Sequence, residues 1–358
     1  MEITATDGEA RRGRIVTPRG VVQTPVFMPV GTRGAVVHLD SGDYGPLGAE
    51  IVLGNTYHLM LRPGAEEIAA LGGLHGFTGW EGHFLTDSGG FQVMSLEPRI
   101  TEEGATFKSI YDGRVVTLTP EDATRIQEDL GADFAMVLDI CPSLPSPAHV
   151  VLEATERTHR WAERARATHR RADQTQFGIV QGGIDPGLRR HSARVLASMD
   201  FGGYGIGGLS VGETRAEMMP ALVAALAELP PDRPRYLMGV GDPLSVVDAI
   251  GAGVDMFDCV LPTRLARHGT VLTWEGRLNL RNAVHRGDPS PLDPRIGVSA
   301  GFSRAYLRHL LMVREPTAGR ILTLHNLAFL FDLVDRARRA VEAGSLAELR
   351  AEVAAHWD

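Results

Sequence analysis

The chain has 358 residues, 44% of them apolar and 22% charged, with a formal net charge of −8. That balance excludes a disordered or fibrous protein, and the net negative charge argues against non-specific coating of nucleic acid, which rests on a cationic surface. Two cysteines, Cys141 and Cys259, exclude a disulfide framework and any metal site of three thiolates. No stretch approaches the ~18 unbroken apolar residues of a membrane helix. The start, Met1-Glu2-Ile3-Thr4-Ala5-Thr6-Asp7-Gly8, lacks the basic and apolar regions of a signal peptide, so a cytoplasmic protein with no membrane partner is expected. Lys108 is the lone lysine among 36 basic residues. Arg thus carries nearly all the positive charge, and it suits bidentate phosphate contacts.

In chain order, short apolar runs predict strands at 26–29, 51–53, 134–138, 177–180, 204–206, 236–238 and 256–257. Helices are predicted at 65–71, 120–130, 147–171, 186–198, 215–227 and 243–252. Thr119 before Pro120 is a recognisable helix start, with a capping hydroxyl and a proline at the first helical position. From residue 303 onward the chain reads as helical, with a final amphipathic helix at 341–357. Alternating strands and helices imply repeated βα units on a parallel sheet, and seven or eight of them close an α/β (β/α)8 TIM barrel. The expected division is a single barrel domain over 1–285 and 303–358, with C-terminal helices, interrupted by a loop at 286–302.

Chemistry in such a barrel sits where polar residues follow the strands. Leu85-Thr86 leads into Asp87-Ser88-Gly89-Gly90, and the run 135–138 ends at Asp139. Gly178-Ile179-Val180 ends at Gln181, Gly205-Ile206 at Gly207-Gly208-Leu209, and the run 254–257 at Asp258. Two carboxylates on one rim can work at an anomeric carbon as nucleophile and acid/base, and a third can accept hydrogen bonds from the edge of a base. Gln181 can donate and accept at once. Phe91 and Met238 are candidates to sandwich a flat ring. The plainer reading of each aspartate is a helix cap, and that of Phe91 or Met238 is core packing. Composition and spacing alone stop at a barrel enzyme acting on a sugar or a base.

Longer motifs go further. They include Thr24-Pro25-Val26-Phe27-Met28-Pro29-Val30-Gly31-Thr32, Leu53-Gly54-Asn55-Thr56-Tyr57-His58-Leu59 and Thr86-Asp87-Ser88-Gly89-Gly90-Phe91-Gln92-Val93. Gly178-Ile179-Val180-Gln181-Gly182-Gly183, Gly205-Ile206-Gly207-Gly208-Leu209-Ser210-Val211-Gly212-Glu213 and Asp255-Met256-Phe257-Asp258-Cys259-Val260-Leu261-Pro262-Thr263-Arg264 follow in order. With these the chain resembles the bacterial-type tRNA-guanine transglycosylases of queuosine biosynthesis from about residue 12 to residue 357. The resemblance implies a pentosyltransferase that exchanges guanine for a 7-deazaguanine at C1′ of the wobble guanosine of a tRNA anticodon loop. It implies Asp258 as nucleophile, forming a covalent ribosyl ester, and Asp87 as acid/base. Ser88, Asp139, Gln181 and Gly208 would hold the base, Phe91 and Met238 would stack on it, and the Leu209 carbonyl, supported by Glu213, would meet its aminomethyl group. Arg264 and Arg267 would contact neighbouring nucleotides. Cys141 with Val211 resembles the bacterial pocket for a small substituent.

The departures are also specific. Family members carry a Cys-x-Cys-x-x-Cys cluster and a later His that bind a structural zinc. Here the stretch is Pro294-Arg295-Ile296-Gly297-Val298-Ser299-Ala300-Gly301-Phe302, and only the His, His325, remains. No cofactor and no metal are therefore expected, with Ile296, Val298 and Phe302 packing in the zinc's place and Arg295 turned outward. Ile140 replaces an acidic residue of the family, and His268 an Asn. Phe77, Phe302, Tyr306 and His309 match positions of a two-fold interface in bacterial relatives, so a homodimer is expected. Two alternatives remain at this point. One is the same exchange on a free nucleoside, DNA or another RNA in 7-deazapurine metabolism. The other is a non-catalytic partner subunit.

Overall fold

The computed structural model describes residues 1–357. Eight parallel strands close a barrel in strict chain order. They are β1 (Val26–Gly31), β2 (Ile51–Gly54), β3 (His83–Thr86), β4 (Phe134–Met136), β5 (Thr175–Val180), β6 (Gly203–Ile206), β7 (Arg235–Leu237) and β8 (Met256–Cys259). β8 pairs back onto β1, with Phe257 opposite Phe27 and Asp258 opposite Met28. The first three strands are buried at every position, as strands covered on both faces must be.

The helices between the strands fall where their sequence signals put them. Pro120–Leu130 starts on a Thr119–Asp122 capping box and stops at Gly131 in the left-handed region. Pro186–Ser198 is capped by Asp185, whose side chain accepts from the Gly187 and Leu188 amides. Ala65–Ala70, Ala148–Thr168, Arg215–Leu226 and Pro243–Gly251 occupy the remaining predicted spans with ends shifted by a few residues.

Four parts of the fold depart from the expected outline. Residues Glu2–Asp7, Ala10–Thr17 and Gly20–Thr24 form an antiparallel sheet outside the barrel. It lies at the N-terminal ends of the strands, where Arg11 pairs with the fully buried Asp255, Arg19 with Asp133 and Thr17 with His83. Another small sheet (Arg99–Ile100, Ala105–Lys108, Val115–Leu118) follows β3, and a hairpin (Thr270–Thr273, Gly276–Asn279) follows β8. Finally, the helix Pro316–Ala343 runs unbroken for 28 residues and ends on Gly344, also left-handed. The last helix is therefore Leu346–Trp357 rather than a segment beginning at 341. The long helix packs on β1, where Phe331 meets Phe27 with ring centres 6.4 Å apart. Among the described residues no helix is long and apolar enough to cross a membrane.

Candidate active site

At the C-terminal mouth of the barrel lies a cavity of about 750 Å³. Asp87, Ser88, Phe91, Asp139, Gly208, Leu209, Glu213, Met238, Asp258 and Arg264 line it. None of the three aspartates is the N-cap of the helix that follows it. The helices that follow them start at Gly89, Pro147 and Val260, which disposes of the plainer reading for each.

Asp258 stands inside β8, and both of its hydrogen bonds fall on one oxygen. Oδ1 accepts from the Tyr236 hydroxyl at 2.6 Å and from the Gly239 amide at 2.7 Å. Burial raises its pKa, while these two donors favour the anion. Tyr236 is itself buried beside Asp258, and its pKa is pushed well above the usual phenol range. It stays protonated and donates.

Asp87 follows β3 and is held from the loop after β2. Its Oδ1 accepts from the Thr56 amide at 2.9 Å and the Gly89 amide at 3.0 Å, and its Oδ2 from the Asn55 side chain at 2.5 Å. Burial pushes its pKa up to about 7, and the charges of Asp258 and Asp139 add to the rise. Burial thus raises both carboxyl groups of the cavity, and they differ in how they are held, Asp87 by three donors spread over both oxygens and Asp258 by two donors on Oδ1.

Asp139 follows β4. Its Oδ1 accepts from Ser88 Oγ at 3.2 Å and its Oδ2 from Gln181 Nε2 at 2.6 Å, and burial lifts its pKa to about 6. Gln181 is 1% exposed and stands behind Asp139 rather than on the cavity wall. It also fits against the Gly207-Gly208 turn. A Cβ on Gly207 would lie 2.8 Å from Gln181 Nε2, one on Gly208 would collide with Gln181 Oε1, and Gly208 has φ +64°, so both positions need glycine. Glu213 closes the same turn by accepting from the Ser210 and Val211 amides, which holds Ser210 in the left-handed region at φ 69°.

Phe91 is 60% exposed and Met238 is partly buried, so both offer surface to a ligand. Arg264 lines the cavity, whereas Arg267, three residues on in the same helix (Leu261–Arg267), is exposed outside it. Cys141 and Val211 are both on the wall. Burial pushes the thiols of Cys141 and Cys259 up to about 12 and about 11, so neither is a nucleophile near neutral pH.

Several contributors escaped the reading by residue type. Asn55 and Tyr236 read as strand-end and core residues, yet each holds a carboxylate. Arg189 is fully buried and donates to the carbonyls of Val180, Gly183, Gly207 and Gly208 at 2.7–3.1 Å, tying the β5 and β6 turns together. Beside the cavity, His58 Nδ1 lies 2.8 Å from the Tyr111 hydroxyl, and the guanidinium groups of Arg33 and Arg62 stand 5.7 and 4.9 Å from the Tyr111 ring centre.

The sequence profile of the family described as "Queuine tRNA-ribosyltransferase" matches residues 6–358. The chain belongs to that family. It is 50% identical to the queuine tRNA-ribosyltransferase of Moorella thermoacetica over 96% of this chain and 93% of the relative. It is 50% identical to that of a Thermus thermophilus strain over 99% and 93%, and 51% identical to that of Solidesulfovibrio magneticus over 98% and 95%.

The family's zinc does not fit the residues present at 294–302. His325 is fully buried, and both ring nitrogens are engaged, Nδ1 with Ser299 Oγ at 2.6 Å and Nε2 with the Leu272 carbonyl at 2.8 Å. Ile296 is buried, as expected, and Phe302 is half-buried. Val298, however, is 43% exposed and fills nothing. Arg295 is exposed, as expected, and its guanidinium clasps Asp293 at 2.9 and 3.0 Å. Asp293 in turn accepts from the Trp274 amide at 2.8 Å.

Proposed function

We propose that this protein exchanges guanine for a small 7-deazaguanine base at the wobble guanosine of tRNA, through a ribosyl ester on Asp258. The observation that carries the reading is the pair of carboxyl groups in one cavity, Asp258 braced on one oxygen and Asp87 with its pKa near 7. Membership of a family named for ribosyl transfer to tRNA supports it.

In the first half-reaction Asp258 Oδ2 attacks C1′. The C1′–N9 bond breaks with its electron pair going to guanine, and Asp87 supplies the proton that lets the base leave neutral. In the second, the incoming base gives its N9 proton to the Asp87 carboxylate and N9 attacks C1′. The ester bond then breaks and Asp258 is restored. Two inversions leave the configuration retained. Asp139, with Ser88 and Gln181 behind it, accepts from the base's N–H groups, and the Gly207-Gly208 backbone meets its carbonyl edge. Phe91 and Met238 sandwich the ring. Leu209 and Glu213 receive the substituent, which the Cys141–Val211 wall keeps small. Arg264, Arg267 and the Arg33–Arg62 pair face the RNA backbone, so that a protein with a net charge of −8 meets phosphate through a local basic rim. The exchange needs no cofactor, and its tRNA substrate places the enzyme in the cytoplasm.

The test is incorporation of labelled guanine into unmodified tRNA, compared with free guanosine and duplex DNA. Label in tRNA alone is expected. Label in guanosine or DNA but not tRNA would replace the acceptor and favour a role in 7-deazapurine metabolism. No label in any of them would leave the non-catalytic partner reading.

A further inference from the structure

Away from the cavity, three potential metal ligands meet between two neighbouring helices. Glu156 and His159 lie three residues apart on Ala148–Thr168, which puts them on one face, and His191 comes from Pro186–Ser198. One ligand atom from each lies within 4.8 Å of the others. His159 is 4% exposed, and its Nδ1 has no hydrogen-bond partner among the described residues. That nitrogen points at the cluster, 3.6 Å from Glu156 Oε2. His191 Nε2 stands 2.9 Å from Glu156 Oε1, and the side chains of His191 and Glu156 are about half exposed, at 50% and 41%.

We propose that Glu156, His159 and His191 form a binding site for a divalent transition-metal ion of the zinc type, completed by water. An N,N,O set suits Zn²⁺. Ligands bound at about 2.0 Å in a tetrahedron stand about 3.3 Å apart; here each histidine lies 2.9–3.6 Å from one oxygen of Glu156 and the set spans no more than 4.8 Å, so the exposed His191 and Glu156 side chains need only pivot to converge on one ion. The telling feature is that Nδ1 makes no hydrogen bond and meets only the Glu156 carboxylate, at 3.6 Å, whereas a buried imidazole nitrogen ordinarily finds a hydrogen-bond partner. The outer contacts also fit. His159 Nε2 lies 2.8 Å from Ser192 Oγ, so a metal on Nδ1 leaves the proton on Nε2 to donate to Ser192, the kind of second contact that orients a ligating histidine. Ser192 Oγ also accepts from the Gln181 amide at 3.2 Å, so the ion would staple two adjacent barrel helices directly behind the residue that supports Asp139. The site is separate from the stretch 294–302 and does not depend on the proposed reaction.

The experiment is calorimetric titration of the chelator-stripped full-length protein with zinc chloride near neutral pH, with melting curves at each stage. One ion per chain and a zinc-dependent rise in melting temperature are expected, because an ion bound only by the folded state stabilises it. His191→Ala and Glu156→Gln should each weaken binding by roughly tenfold or more and abolish that rise, while their zinc-free melting temperatures stay at the parent value. His325→Gln should leave zinc binding as it is. Absence of zinc binding, binding that survives either His191→Ala or Glu156→Gln undiminished, or binding lost with His325→Gln would overturn the proposal.

Discussion

Asp87 sets the pH dependence of the proposed reaction. Its pKa is raised by burial to about 7, so below that value it holds the proton that the leaving guanine needs, and above it the group is a carboxylate. In single-turnover experiments with tRNA, guanine release should therefore slow as pH rises through about 7. Attack by the incoming base, which needs the carboxylate, should slow as pH falls through the same value. A release rate that is flat across this range would remove Asp87 from the acid role. Asp139 is the neighbouring test. Asp139→Ala should weaken guanine binding by ~2–4 kcal/mol, because it leaves donors of the base unpaired in a closed pocket. The fold should change little. The substitution strands Ser88 and Gln181, but it also removes a carboxyl whose charged form burial disfavours. Calorimetry of guanine binding together with a melting curve separates the two effects. The acids themselves were legible in the sequence because each ends an apolar run. Tyr236 and Asn55 were not, because a tyrosine opening a buried strand looks like core, and nothing local says which carboxylate it will meet.

At the scale of elements, the helix Pro316–Ala343 packs against the stretch 294–302 through His325, which meets Ser299 Oγ at 2.6 Å. His325 is the centre of that contact, and burial depresses its pKa to about 4. In the unfolded chain the same group titrates near 6.5. As pH falls from about 6.5 towards 4 the unfolded state takes up a proton that the folded state refuses, so the fold loses stability, by about 3 kcal/mol in full. Melting temperature should fall less steeply across that window in His325→Gln than in the parent, and equal slopes would show that the buried imidazole is not the sensitive group. Strands and helices of the barrel were readable from the alternation of apolar runs and capped amphipathic stretches. The N-terminal sheet was not, because Arg11, Arg12 and Arg14 in its central strand look like a solvated surface, and only the buried Asp255 explains Arg11. The break expected before residue 341 failed for a similar reason. Apolar spacing marks a helix face, but the stop is set by Gly344. The Glu156–His159–His191 cluster was invisible in the sequence because its parts lie on separate helices.

For the whole molecule, we expect a two-fold dimer. Phe302 and Tyr306 stack with ring centres 6.2 Å apart and planes 17° from parallel. Tyr306 is 46% and Phe77 38% exposed, and His309 is exposed too. Exposed aromatic anchors suit an interface, since they bury large area at low entropic cost. Light scattering should give twice the 38.7 kDa chain mass, and Tyr306→Ala should shift the protein towards monomer. A parent that stays monomeric at every concentration would show that Phe302 and Tyr306 serve only their own chain. Covalent exchange at Asp258 has a more direct test. Protein incubated with unmodified tRNA, denatured and digested should yield an RNA-linked peptide containing Asp258. The Asp258→Asn variant, whose amide oxygen is a poor nucleophile, should yield none and should not exchange labelled guanine. Full exchange by Asp258→Asn, or an adduct mapped to any other residue, would contradict the account.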